Sequence, residues 1–248
     1  MDNYLIDEIL DIKTHTKLIT FVGGGGKTTS IYKIAQTLKK DHTVLVTTTT
    51  HMFHPHDQVD RVYFGDLPDE VESNIVGLFT LYDPVKNKVK GISKDQVNGI
   101  KDEKKFDLIL NEGDGSKSRP LKSYGHHEPV IPSSSDMVVI VIGAEVFNQP
   151  LSEDLVHRID PFMTITGLKE GQIIRPDAII DLLTHQDGFL KNLPDHAKAY
   201  ILINKAKSYS VDIEGFSEKL FLKTNRYKAV ISGEMAKFEI LRVIEYDR

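Results

Sequence analysis

A chain of 248 residues with 40% apolar and 27% charged side chains is long enough to bury a full core and has the composition of a globular domain. Its net charge of −5 gives no electrostatic reason for binding nucleic acid or a membrane surface. Cysteine is absent, which excludes disulfides, thiolate metal ligands and thiol-nucleophile chemistry carried by this chain.

No basic-then-apolar leader opens the sequence, and its longest apolar run, Met137 to Ile142, is far too short to span a bilayer, so a cytoplasmic protein is expected. In chain order, Asp2 or Asn3 is placed to cap a short helix with Leu5, Ile6, Ile9 and Leu10 as its buried stripe. Leu18 to Val22 is a β-prone apolar run leading directly into Gly23-Gly24-Gly25-Gly26-Lys27-Thr28-Thr29. Ile31, Ile34, Ala35 and Leu38 then recur at helical spacing, so residues 27–40 read as an amphipathic helix. Strand, glycine loop and helix in that order suit a phosphate site. Glycines let backbone N–H groups close around an anion, and the helix N-terminus adds partial positive charge. Lys27 would reach the β- and γ-phosphates of ATP or GTP, and the Thr28 hydroxyl would bind the accompanying Mg2+. Phe21 stands where the usual pattern has its first glycine, and Val22 where another loop class carries a signature lysine. What remains, Gly23-x-x-Gly26-Lys27-Thr28, has the shortened spacing of Mur-type ligases.

A second strand, Thr43 to Val46, ends in four threonines, Thr47 to Thr50, followed by His51. Strand, helix and strand within about thirty residues predict a right-handed βαβ unit and a parallel sheet. His51, His54 and His56 lie close together, but no cysteine or paired carboxylate completes a transition-metal set, and Pro55 breaks any helical face. His51 is the notable one, because it sits at a strand's carboxyl end. Residues 52–105 lose the βαβ rhythm. Leu78–Asp83 and Lys88–Ile92 read as a hairpin turning at Pro84 to Asn87, within an insertion at a sheet edge.

Parallel-strand character returns at Phe106–Leu110 and Met137–Ile142. The first of these runs into Asn111-Glu112-Gly113-Asp114-Gly115-Ser116-Lys117. An apolar strand ending in acids downstream of a glycine loop resembles the element that holds magnesium and a nucleophilic water. Asn111 takes the usual aspartate's position, so the acid shifts to Glu112 or Asp114, which share a side if the chain stays extended. One could hold the metal's water shell and the other orient an attacking water. Lys117, Arg119 and Lys122 could meet phosphate or a pterin-like anion, although three cations within six residues are also common on solvated loops. Arg175–His185 reads as a helix, with Tyr200–Ile203 and Ala229–Ile231 as further strands. Asn204-Lys205-Ala206-Lys207 is similar to the Asn-Lys-x-Asp base-recognition element of guanine-nucleotide proteins, but Lys207 puts a donor where an acceptor is needed. The expected fold is a single α/β domain over 1–248, P-loop NTPase-like. Helices flank its mostly parallel sheet, which carries a small β-hairpin insertion, and ligands bind at the strands' carboxyl ends.

Taken in order, these blocks resemble the selenium-dependent hydroxylase accessory proteins, the YqeC-type P-loop proteins. The matching pieces are Phe21 to Thr29, Val46 to Thr50, Glu112 to Lys117, Pro120-Leu121-Lys122, His127 to Pro132, Gly143, His157-Arg158 and Asn204-Lys205. Gly113 departs from an alanine in the family pattern, and Lys207 from an aspartate. The resemblance implies a nucleotide-binding maturation factor whose partner is a selenium-dependent molybdenum hydroxylase or its cofactor-maturation proteins. It also implies that Gly23 to Thr29, Asn204 and Lys205 hold the nucleotide, and that Glu112 or Asp114 positions a water. Thr49, His51, Lys117, Lys122, His127, Glu128 and Arg158 would then shape a substrate or partner surface. Two rival readings stay open: an ATP-dependent ligase or kinase, which needs an acceptor, and a nucleotide-gated binding module without turnover.

Overall fold

The computed structural model describes residues 16–246, so the helix expected near Leu5 to Leu10 lies outside the described residues. Strand β1 (Lys17–Gly23) leads through the glycine loop into α1 (Lys27–Leu38) and β2 (Val44–Thr48). Short β3 (His51–Phe53), β4 (Arg61–Phe64), β5 (Ile75–Phe79), β6 (Leu81–Asp83) and β7 (Lys88–Lys90) follow, then α2 (Lys94–Glu103) and β8 (Leu108–Glu112). The second half runs β9 (Leu121–Lys122), β10 (Met137–Gly143), β11 (Val156–His157), α3 (Ile159–Thr166), α4 (Pro176–Thr184), β12 (Lys198–Asn204), α5 (Ile213–Lys223), β13 (Tyr227–Glu234) and β14 (Glu239–Glu245).

Nine strands form one sheet in the order β14-β13-β12-β10-β1-β8-β2-β5-β4, parallel throughout except for β14. The α/β class and the mostly parallel sheet flanked by helices are as expected. Strand parity decides which helix covers which face. Ile19 and Phe21 of β1 pack with Ile31, Ile34, Ala35 and Leu38 of α1, while Val22 faces Ile179, Leu183 and Phe216 of α4 and α5. Leu18 joins Val97 of α2 on that second face. Truncating a side chain as buried as Ile31 would cost ~2–5 kcal/mol. Local chemistry sets the helix starts. Ser93 and Gln96 form a reciprocal capping box on α2, Pro176 opens α4, and the Asp212 carboxylate accepts from Gly215 N–H to cap α5.

The chain leaves β1 toward the β2 edge and leaves β10 toward the β12 edge, so the sheet's topological switch falls between β1 and β10. The glycine loop emerges at that point, where crevices form in open α/β sheets. The region 52–105 divides in two. β5 and β4 extend the main sheet, while the hairpin β6–β7 pairs with β3 as a separate antiparallel sheet. Leu78 and Phe79 therefore belong to β5, and the hairpin's first arm begins only after Thr80. Among the described residues, no helix is long and apolar enough to cross a membrane.

Candidate functional site

The glycine loop is shaped by close packing. Gly25 (φ 77°) and Gly26 (φ 121°) adopt left-handed backbone, and a Cβ on either would run into Gly143 or the Asn204 amide. Two N–H groups of the loop are spent internally, Gly24 on Val141 O at 2.9 Å and Gly25 on Arg119 O at 2.9 Å. The loop glycines thus have a packing reason to be glycine. The chemical signal rests on the side chains and helix terminus that the loop presents.

Those groups face a cavity of about 430 Å³ lined by Gly26, Lys27, Thr28, Thr29, Glu112 and Lys205, with His51 and Lys117 at its rim. The first N–H groups of an α-helix have no intrahelical partner, so the start of α1 directs donors toward this space. Glu112 ends β8, which lies directly beside β1, and its Oε2 accepts the Thr28 hydroxyl at 2.6 Å. Parity explains why the acid stands at 112. Asn111 points to the opposite face, where its amide donates to Thr20 Oγ1 at 3.3 Å. Burial holds the Glu112 carboxyl above its ordinary range, against the opposing pull of Lys27 and the Thr28 hydrogen bond. A hydroxyl and a carboxylate this close, open to a cavity beside a helix N-terminus, can hold a hard cation and accept a proton.

Asp114 lies beneath the loop rather than along the cavity wall. Its Oδ2 accepts Gly23 N–H at 2.8 Å, and its Oδ1 is 3.0 Å from the Lys27 ammonium, which also donates to Gly23 O at 2.6 Å. Burial works against the charge on Lys27, but Asp114 and then Glu112 outweigh it and hold the ammonium above its ordinary value. Asn204 is a second support: its amide donates to Gly25 O at 2.8 Å and its carbonyl accepts Met235 N–H at 2.9 Å. Lys205 reaches the cavity rim and is bonded to Glu145, while Lys207 pairs with Glu239 at 3.0 Å.

The remaining expected residues lie apart from this cavity. Thr49 donates to Val130 O at 2.6 Å, tying the threonine run to the loop that follows Glu128. Lys122, fully buried, bonds Glu128 at 2.8 Å and Gly115 O at 2.5 Å, and Glu128 also accepts from Arg158 at 2.6 Å. Despite its burial, these two cations hold Glu128 below its ordinary range. His127 lines a different cleft, of about 510 Å³, with Lys94 and Asn192. Sequence reasoning missed Phe53 and Lys88, which also line the main cavity. Strict alternation in His51-Met52-Phe53 and Lys88-Val89-Lys90 was the available signal, since it turns Met52 and Val89 inward and the others out. His54 and His56 serve locally: His54 Nδ1 accepts His56 N–H at 3.0 Å, and the His56 ring meets the Asn87 amide.

A model of the YqeC protein family matches residues 19–160, more than half of the sequence. The chain belongs to the YqeC family. It is also similar to a protein of Escherichia coli (strain K12) described as uncharacterized protein YqeC, with 34% identity over 193 residues, covering 76% of this chain and 75% of the relative. The YqeC match takes in the glycine loop, the Thr28–Glu112 pair and the Lys122–Glu128–Arg158 cluster. It stops short of Asn204 and Lys205, which come to the site from the end of β12, two strands from β1.

Proposed function

We propose that this YqeC protein has a P-loop NTPase-like fold, binds a nucleoside triphosphate with Mg2+ in the glycine-loop cavity, and hydrolyses it. The observation that carries the reading is the pairing of Thr28 at the start of α1 with Glu112 at the end of the adjacent β8, facing one cavity. Thr28 Oγ1 supplies a hard oxygen donor that magnesium takes beside phosphate oxygens and water, and the Glu112 carboxylate would accept hydrogen bonds from the ion's water shell. Bound there, the ion would neutralise charge on the terminal phosphates. The N–H groups of Gly26 to Thr29 cradle the phosphates, and Lys27 turns from Asp114 toward them. Glu112, the carboxylate that lines the cavity, orients water and accepts its proton. Asp114 and Asn204 keep the loop in shape. The family resemblance supports a role in maturing selenium-dependent molybdenum hydroxylases, with hydrolysis driving a step of cofactor delivery or selenium insertion. With no cysteine in the chain, any selenium carrier must belong to another molecule.

The test is titration of ATP and GTP with Mg2+ into the purified protein and its Thr28→Ala and Lys27→Ala variants, with phosphate release followed in parallel. Binding weakened by both substitutions, together with phosphate release from nucleotide alone or with the client enzyme, supports the proposal. No binding of either nucleotide would sink it. Conversion of nucleoside triphosphate to diphosphate that needs a small acceptor would replace hydrolysis by a ligase activity where phosphate is released, or by a kinase activity where the acceptor is phosphorylated.

A further inference from the structure

Part of the cavity lining comes from His51, Met52 and Phe53 of β3 and Lys88 of β7, and the sheet β3–β7–β6 aligns His51, Lys90 and Leu81 in one row and Phe53, Lys88 and Asp83 in another. The six residues of these rows share one face, while Met52 and Val89 alternate inward to the core. The Phe53 ring is 51% exposed, and the Lys88 ammonium sits 5.2 Å from its centroid. A second cavity of about 440 Å³ opens on this face, bounded by Leu81, Lys86 and Lys90, and shares His51 and Lys88 with the first.

Exposed lysines alone make a solvated face; what sets this one apart is the exposed Phe53 ring among them, beside a cavity. Among the described residues, Lys88, Lys90 and Lys117 have no carboxylate partner. Asp83, the acid on this face, is committed to its own turn: its Oδ1 accepts Val85 and Lys86 N–H at 3.1 Å, and its Oδ2 pairs with Lys86. Position also matters. Lys27, Thr28 and Glu112 mark where terminal phosphates would lie, and Glu112 belongs to β8, between β1 and β2. The terminal phosphate then points toward the β2 side, and the nucleoside extends toward Thr29 and Lys205. The wall carrying Phe53 is left facing the terminal phosphate.

We propose that the outward face of β3–β7–β6 is a second binding site, for a small planar organic anion held beside the terminal phosphate. The ring of the ligand stacks on Phe53, and its phosphate or carboxylate pairs with Lys88 and Lys90. Its placement relative to nucleotide rests on the proposed phosphate site; the binding face itself does not.

The experiment uses the full chain and 1-naphthyl phosphate as a fluorescent probe, titrated with and without saturating ADP and Mg2+. Expected are binding that persists with ADP present, a loss of about tenfold in probe affinity for both Phe53→Ala and Lys90→Gln, and ADP affinity unchanged in Lys90→Gln. Lys27→Ala should lose ADP and keep the probe. Absence of probe binding, competitive displacement by ADP, or a Phe53→Ala defect confined to ADP would each overturn the proposal. Probe binding without any ADP binding would instead remove the phosphate-site reading and leave this one standing.

Discussion

The Lys27 ammonium and the Asp114 carboxylate lie 3.0 Å apart beneath the glycine loop, 3% and 0% exposed respectively. The lysine expected to meet phosphate is therefore half of a buried ion pair, and removing it leaves an uncompensated charge in the core. Lys27→Ala should cost ~3–5 kcal/mol of stability as well as nucleotide affinity. The double variant with Asp114→Ala should lose less than the two single losses added together. Chemical denaturation of the four proteins reads this, and strict additivity would show that the pair does not interact.

Thr28→Ala is the cleaner probe of the proposed phosphate site, because it removes one part-buried hydroxyl and breaks no ion pair. It should abolish the magnesium dependence of binding while shifting stability by no more than ~1–2 kcal/mol. A variant that keeps its full magnesium response would show that this hydroxyl takes no part in holding the ion.

Glu112→Gln keeps shape and hydrogen bonding but removes the proton acceptor. Phosphate release should fall by roughly 10²–10⁴-fold with nucleotide affinity kept within a few-fold. Since burial raises this carboxyl, the folded protein favours its protonated form. The substitution should therefore stabilise the empty protein above about pH 4.5, the ordinary value for glutamate. A destabilised variant near neutral pH would contradict the raised value.

Acid sensitivity should originate in the Lys122–Glu128–Arg158 cluster. Burial first, then Lys122 and Arg158, push the His157 imidazole down to about 4 from its ordinary 6.5. The folded state binds fewer protons than the unfolded state in that window, so stability is fully present above 6.5 and lost as pH falls toward 4. Glu128 adds a later loss, as pH drops from about 4.5 through its lowered value. Denaturation midpoints between pH 7 and 5 should fall in the native protein and flatten in His157→Gln. An equal slope in both would exonerate the histidine.

The sequence was most legible where local pattern and sheet position agree. The apolar runs at Leu18, Val44 and Met137 sit in strands, and the spacing of Ile31 to Leu38 sits on a helix. α2, α3, α5, β4 and β14 were missed. On α5, Phe216 and Leu220 face the core and Leu222 is 71% exposed, so its apolar residues do not form one clean stripe. β14 is an antiparallel edge strand with little burial to pattern it. At the site, spacing alone brought the glycine loop together with Glu112 or Asp114 without separating the two acids. The role of Asp114 could not be read there, because it depends on the chain turning back under Gly23 after β8, a contact between residues 91 positions apart. Phe53 and Lys88 were hidden for a similar reason: their shared face exists only once β3 pairs with β7.

Asn204 gives the fold an unexpected dependence. The carbonyl of Gly25 is held by an amide 179 positions further along the chain, and that amide is held in turn by the backbone just past β13. The portion carrying the family match therefore does not contain everything that sets the geometry of its own loop. A fragment cut after residue 160 would keep Lys27 and Thr28 in sequence but lose the clamp that orients them. Residues outside that portion shape the glycine loop as fully as the glycines do.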